Sequence, residues 1–191
     1  MEIILASASP RREELLRQID CKFTIITSDI VEDNDQDIPP EKLAVLQAKA
    51  KALDVAARKG ASGALVIGAD TIVVGNNRVY GKPRDEADAE RMLQELQGRD
   101  HQVISGVAVV YKGEVWTDYA TTRVALRPLS PGEIKRYVAT GEPLDKAGAY
   151  AIQGVGALLV EEIAGSYTNV VGLPLTTLNK LLHRSVGVDL L

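Results

Sequence analysis

Carboxylates, lysines and arginines must carry whatever chemistry this chain performs, because the other reactive side chains are nearly missing. The 191 residues include one cysteine, Cys21, and two histidines, His101 and His183. A Cys/His zinc site needs more ligands than that, and neither histidine lies near a nucleophile elbow. Charge meets unusual surroundings in the first stretch, Ala6-Ser7-Ala8-Ser9-Pro10-Arg11-Arg12, where the apolar run Ile3-Ile4-Leu5 gives way to a helix start. Ser9 suits the N-cap and Pro10 the first helical position. Free N–H groups and the positive end of the dipole collect at such a turn and attract anions. The dipole disfavours cations there, so Arg11 and Arg12 point to a ligand with several negative charges. The alternative is that both are solvated surface residues.

A second place is the run Ala64 to Val74, the most apolar in the chain, which contains a single charge, Asp70, beside Gly68 and Ala69. A strand this apolar is expected to be covered on both faces, where an unpaired carboxylate is costly. Asp70 therefore calls for a cation, a metal or several donors, or else the strand opens onto a cleft. A core arginine or lysine paired to it is the structural alternative. Gly75-Asn76-Asn77 marks a turn, and Arg78 to Gly81 returns as a strand that leads to Lys82 between Gly81 and Pro83. A two-residue loop sets Thr71 opposite Lys82, and a three-residue loop sets Asp70 there.

The elements that must hold these groups alternate between strand and helix. After the first strand, Leu15, Leu16 and Ile19 give the first helix its apolar face. Phe23 to Thr27 is expected to be a strand, and Ser28 to Pro40, with Asp29, Glu32, Asp33, Asp35 and Asp37, a solvated acidic loop. Pro39-Pro40 opens a long helix with a stripe of Leu43, Leu46, Ala50, Leu53 and Ala57, ended by Gly60. At 100° per residue Lys49 lies about 80° from the centre of that stripe and Lys51 about 120° from it, so Lys49 is the edge lysine that could reach a cleft. Asp85 caps a helix through Ala89, Met92, Leu93 and Leu96, with Gly98 as its stop. His101–Tyr111 and Val115–Arg127 form a long hairpin. Ser130-Pro131-Gly132-Glu133 is a capping box. Asp145 to Gly154 is a small-residue loop able to pass close to a ligand, Ala157 to Ile163 a strand, and Leu173-Pro174-Leu175 the entry to a final helix. No repeat or linker divides the chain, so residues 1–191 are expected to be one α/β domain, with room for a groove between two lobes.

Composition narrows the partners. Hydrophobic residues make up 46% and aromatics 4%, so the core is aliphatic, and the net charge of -4 speaks against a nucleic-acid polymer. No leader is seen and no apolar run reaches about 18 residues, so a soluble, cytoplasmic protein without a membrane partner is expected.

Taken together, these segments resemble the Maf family of nucleoside triphosphate pyrophosphatases. The matching stretches are Leu5 to Arg12, Gly68-Ala69-Asp70-Thr71, Gly81-Lys82-Pro83, Asp145 to Tyr150 with Gln153-Gly154, and Val170 to Pro174, in order and spacing. The resemblance implies a mixed α/β fold, a twisted sheet in two lobes with a deep nucleotide-binding cleft. It also implies hydrolysis of a nucleoside triphosphate to monophosphate and pyrophosphate with Mg²⁺ or another divalent metal cation, and it leaves a homodimer open. The Asp-Lys-Ala-Gly-Ala-Tyr loop with its following Gln is typical of the branch acting on dTTP and UTP. Carried over by position, Asp70 matches the proton acceptor, and Ser7, Arg11, Arg12, Lys49 and Lys82 match the phosphate-site residues. Arg11, Thr71 and Gln153 match positions linked to substrate choice, and Glu32 falls near an acidic, metal-associated position. Ala151 stands where the family usually has Gly, and Ala48 where a polar residue is common. Whether Asp70 takes a proton or mainly holds the metal stays open. The rivals are a nucleotide-binding regulator of division without turnover and a broad-specificity pyrophosphatase for modified nucleotides.

Overall fold

The computed structural model describes residues 1–58, 61 and 63–190, which leaves Gly60, the expected stop of the long helix, outside the described residues. The elements run β1 (Ile3–Ala6), α1 (Pro10–Gln18), β2 (Thr24–Ile25), α2 (Pro40–Ala56), β3 (Leu65–Gly75), β4 (Arg78–Tyr80), α3 (Glu86–Leu96), β5 (Asp100–Tyr111), β6 (Glu114–Leu126), α4 (Pro131–Val138), β7 (Val160–Ala164), α5 (Tyr167–Val171) and α6 (Leu175–Val186). This is the expected mixed α/β architecture. The strands form a seven-stranded sheet in the order β2-β1-β3-β5-β6-β7, with β4 paired to β3. The chain resolves into two compact units: Met1–Thr71 with Ser105–Ala120 and Gly172–Leu191, and Ile72–Ile104 with Thr121–Val171. Among the described residues no helix is long and apolar enough to cross a membrane.

In the first unit β1 runs parallel to both β2 and β3, with Ile3 opposite Leu65 and Ala6 opposite Gly68. Every residue of β1 and the first six of β3 are buried, as their unbroken apolar runs require. β2 is shorter than expected. Among the described residues it has β1 alone beside it, both its residues are exposed, and one further backbone bond, Ile26 N–H to the Leu5 carbonyl, continues the pairing. Ser9 stands at the N-cap of α1 and Pro10 at its first position, but the Ser9 side chain makes no capping bond. Instead the Ser9 N–H donates to Ser7 Oγ at 3.1 Å.

The buried face of α2 is not the one its large residues mark. Leu46 and Leu53 are exposed, whereas Leu43, Ala44, Gln47, Ala48, Lys51, Ala52 and Val55 face inward. Close approach explains the choice. A Cβ on Gly68 of β3 would fall against the Ala48 carbonyl oxygen and 2.9 Å from the Ala52 Cβ, and one on Gly106 of β5 would fall against the Ala44 backbone. The helix therefore lies on two glycines through Ala44, Ala48 and Ala52, a contact that a leucine-lined face could not make. Ala48, Ala52 and Val55 then share a core with Ile4, Ala6, Val66, Ala108 and Val110.

The second unit is built from local signals that its sequence states plainly. Gly75 pairs with Arg78 and Val73 with Tyr80, so the β3–β4 loop has two residues. Asn76 and Asn77 both have positive φ, 51° and 55°, as a type I′ turn demands. Asp85 caps α3 by accepting from the Asp88 N–H at 2.8 Å, and α4 carries the full Ser130/Glu133 capping box. Ala89, Met92, Leu93 and Leu96 of α3 pack with Ile134, Tyr137 and Val138 of α4, Tyr150 and Leu159. His101 is buried here, its Nε2 2.6 Å from the Tyr150 hydroxyl, and burial holds its imidazole neutral, pushed down to about 4. The predicted strand 157–163 is late and short: Gly154–Leu158 forms a 3-10 turn, and β7 begins at Val160. α5 escapes the sequence pattern because it has only five residues, started by Ser166, whose Oγ accepts from the Asn169 N–H.

The glycine contacts of α2 make a measurable claim. Gly68→Ala should lower unfolding stability by about 1–3 kcal/mol, the usual cost of overpacking, because backbone rather than a flexible side chain blocks the new methyl. Urea denaturation of wild type and variant measures it. An unchanged midpoint would contradict the close packing.

Candidate active site

Asp70 lies in β3 with 2% of its surface exposed, and its partner comes from α2. Lys51 Nζ is 2.6 Å from Asp70 Oδ1 and 2.7 Å from Glu32 Oε1. Two carboxylates thus converge on one ammonium that is itself buried. The turn of α2 onto its alanine face brings Lys51 there. It also puts Lys49, 200° around the helix axis at 100° per residue, on the exposed side. The expected placement of Lys49 at the edge of the buried face is therefore corrected: the small residues of α2, not the large ones, set its phase. Lys49 lines a groove of about 540 Å³ together with Pro39, Leu46, Val115 and Tyr119.

A second network joins the residues around α1. The buried Arg12 donates from Nε to the Gly172 carbonyl at 2.8 Å, from one terminal nitrogen to Ser7 Oγ at 3.3 Å and from the other to Thr71 Oγ1 at 3.1 Å. Thr71 Oγ1 lies 2.8 Å from Ser105 Oγ. Burial pushes the Arg12 guanidinium down from the usual arginine range, while the charges of Asp70 and then Glu32 pull it back up. Ser7 follows the last β1–β3 pair, Ala6 with Gly68, and Asp70 and Thr71 follow Gly68 on the neighbouring strand. Both networks thus lie just past the end of β1 and of its parallel pairing, with Asp70 and Thr71 inside β3, which runs on to Gly75.

Of the residues singled out from sequence, Ser7, Arg12, Glu32, Asp70 and Thr71 come together in the first unit. Arg11 neighbours them on α1, half-buried and partnered. Lys82 and Gln153 belong to the second unit, the former exposed and the latter half-buried. The Gln153 side chain does not cap the turn that follows it. Lys51 and Ser105 were missed. The signal for Lys51 was present in the Ala44, Ala48, Ala52 spacing, and Ser105 is a lone hydroxyl between Ile104 and Gly106 in an apolar strand. Among the described residues no group of three or more His, Cys, Asp or Glu side chains could hold a metal. Mg²⁺ asks less of a protein than that, since it takes one or two carboxylates and fills its other positions with water and phosphate oxygens. Asp70 and Glu32, already directed at one cation, fit that donor set.

The two lysines of α2 should differ sharply in what they contribute to stability. Lys51→Met leaves Asp70 buried without its cation and should cost about 3–5 kcal/mol. Lys49→Met should stay within about 0.5 kcal/mol of wild type, as exposed substitutions do. Thermal and urea unfolding of the pair checks this, and equal losses would refute the Lys51–Asp70 assignment.

Comparison with known proteins supplies the family. A family model described as Maf-like protein matches residues 2–185. A protein of Gloeobacter violaceus is 53% identical over 182 residues, covering 95% of each chain. One of Moorella thermoacetica is 53% identical over 190 residues, covering 98% of this chain and 96% of its own. One of Geotalea uraniireducens is 50% identical over 189 residues, with the same two coverages, 98% and 96%. All three are named dTTP/UTP pyrophosphatase. With the match running over nearly its whole length, the chain belongs to the family of Maf-like proteins.

Proposed function

We propose that this protein hydrolyses dTTP and UTP to the nucleoside monophosphate and pyrophosphate, acting on free nucleotides in the cytoplasm. The observation that carries the proposal is the pair of carboxylates, Asp70 and Glu32, gathered on Lys51 beside the buried Arg12, in a chain whose relatives bear that name. Water attacks the α-phosphorus, the bond from that phosphorus to the bridging oxygen breaks, and pyrophosphate leaves. Asp70 receives the proton of the attacking water. Lys51 fixes the Asp70 carboxylate in one orientation, and it is Lys51, not the expected Lys49, that α2 turns toward the site. Arg11, Arg12, Lys82 and Ser7 meet the phosphate oxygens, and stabilising their charge is most of what phosphoryl chemistry asks of a protein. Asp70 and Glu32 would hold a divalent cation, Mg²⁺ by its preference for oxygen ligands, which when bound offsets phosphate charge. The Thr71 hydroxyl is engaged by Arg12, Ser105 and the Gly172 carbonyl, so it influences substrate choice by setting Arg12. Gln153 reads the base: its amide matches the acceptor–donor–acceptor edge of uracil and thymine.

Two substitutions test the assignment. Asp70→Asn should reduce pyrophosphate release from dTTP by roughly 10²-fold or more, the scale of a positioned base, while the circular dichroism spectrum stays native. Near-wild-type turnover would remove Asp70 from the chemistry. Gln153→Ala should lower kcat/KM for dTTP and UTP more than for GTP, by roughly one to two orders of magnitude, as expected for losing a discriminating hydrogen bond of about 1–3 kcal/mol. An equal fall for all substrates would move base selection elsewhere.

A further inference from the structure

The segment that carries Gln153 is tied down on both sides by one carboxylate and one phenol. Glu142, in the 3-10 turn Glu142–Asp145, accepts from the Val155 N–H at 3.0 Å and from the Gly156 N–H at 2.9 Å. It also accepts from the Tyr137 hydroxyl at 2.8 Å. That hydroxyl in turn accepts from the Ala151 N–H at 3.2 Å. Ala151 on one side of Ile152-Gln153-Gly154, and Val155 and Gly156 on the other, are thus bonded to a single Tyr137–Glu142 pair that lies outside the segment.

The fit around this pair leaves no slack. Gly154 has φ +64°, and a Cβ on it would stand 2.5 Å from Glu142 Oε2. A Cβ on Gly156 would stand 2.5 Å from the Tyr137 hydroxyl and 3.0 Å from the Ala151 nitrogen. Tyr137 itself is rooted in the α3–α4 core, and Lys146 Nζ secures the Glu142 backbone at 2.7 Å from its carbonyl. Three donors on one ionised carboxylate form charge-assisted bonds, the stronger kind. The Gln153 amide itself does not cap the turn that follows it. The place from which the Gln153 side chain departs is set by its backbone, and the Tyr137–Glu142 pair fixes that backbone.

We propose that Glu142 and Tyr137 are positioning residues for base selection, fixing where Gln153 presents its amide and so setting the pyrimidine preference without touching the nucleotide. This rests on Gln153 reading the base. A role in loop stability alone would weaken all substrates alike, whereas a positioning role weakens pyrimidines selectively and only while Gln153 is present.

The test is a double-mutant cycle on base preference. kcat and KM are measured for dTTP, UTP and GTP in wild type, Glu142→Gln, Tyr137→Phe, Gln153→Ala, and each of the first two combined with Gln153→Ala. Glu142→Gln keeps the size of the side chain but turns an N–H₂ toward donors. It should lower the dTTP-over-GTP preference roughly tenfold, since misplacing a recognition group by an ångström costs on that order or more, with the loss on pyrimidines appearing in KM rather than kcat. In the Gln153→Ala background it should leave the remaining preference unchanged, because coupled residues are not additive. Amide hydrogen exchange at Ala151, Val155 and Gly156 should quicken in Glu142→Gln. Faster exchange with an unaltered preference, or the same fall in both backgrounds, overturns the proposal. If Gln153→Ala alone leaves the preference intact, base reading by Gln153 has failed, and that single variant reports it separately. Should Glu142→Gln not fold, Tyr137→Phe in the two backgrounds decides on the same criteria.

Discussion

A carboxylate in the middle of a strand covered on both faces has to find a cation, and in this chain it finds Lys51. Much of the first unit follows from that pair. For Lys51 to reach Asp70 at 2.6 Å, α2 must turn its Lys51 side inward, and it can lie that close only if small residues meet small residues. Gly68, two positions before Asp70, and Gly106 supply one surface; Ala44, Ala48 and Ala52 supply the other. The ion pair and the glycine–alanine contact are thus two aspects of one constraint. Neither is a sensible choice for stability alone, since a buried pair returns little beyond its desolvation cost. A site that needs a carboxylate in a fixed place is where that expense has a purpose.

The Arg12 network repeats the logic with hydrogen bonds. Its three nitrogens are bonded to the Gly172 carbonyl, Ser7 and Thr71, so the guanidinium is oriented before any ligand arrives. Preorganised charge of this kind costs nothing to reorient during reaction, which is the main advantage an enzyme has over water. Gly172 adopts φ +126°, a backbone conformation that side chains rarely take, and in it gives its carbonyl to Arg12.

What was legible in the sequence is what is decided locally. The capping box at Ser130, the cap at Asp85 and the Asn76-Asn77 turn are short-range chemistry and could be read as written. Asp70 was legible for the opposite reason, as a charge that its own strand could not explain. The phase of α2 was not legible, because leucines dominate any apolar stripe while the decisive contacts are between Ala48 or Ala52 and a glycine sixteen or more residues away. Lys51 was lost with it. The roles of Glu142 and Tyr137 were hidden because their partners are backbone N–H groups, which no side-chain pattern announces. Edge effects account for the shortness of β2, and a five-residue helix such as α5 is too brief to show a period.

The charge balance of the site has one more consequence. Asp70 and Glu32 are matched by Lys51 and lie in the field of Arg12, so the cluster is close to neutral as it stands. A neutral, well-paired cluster is stable in the absence of substrate, but it has little net positive charge to offer a triphosphate. In the proposed mechanism, further compensation for the phosphates comes from a divalent cation on the two carboxylates together with Arg11 and Lys82. This divides the cations by task. Lys51 sets geometry, Arg12 both sets geometry and faces the phosphates, and removal of either should disturb structure as well as rate. In that mechanism Arg11 and Lys82, less buried in the protein, meet the ligand's charge.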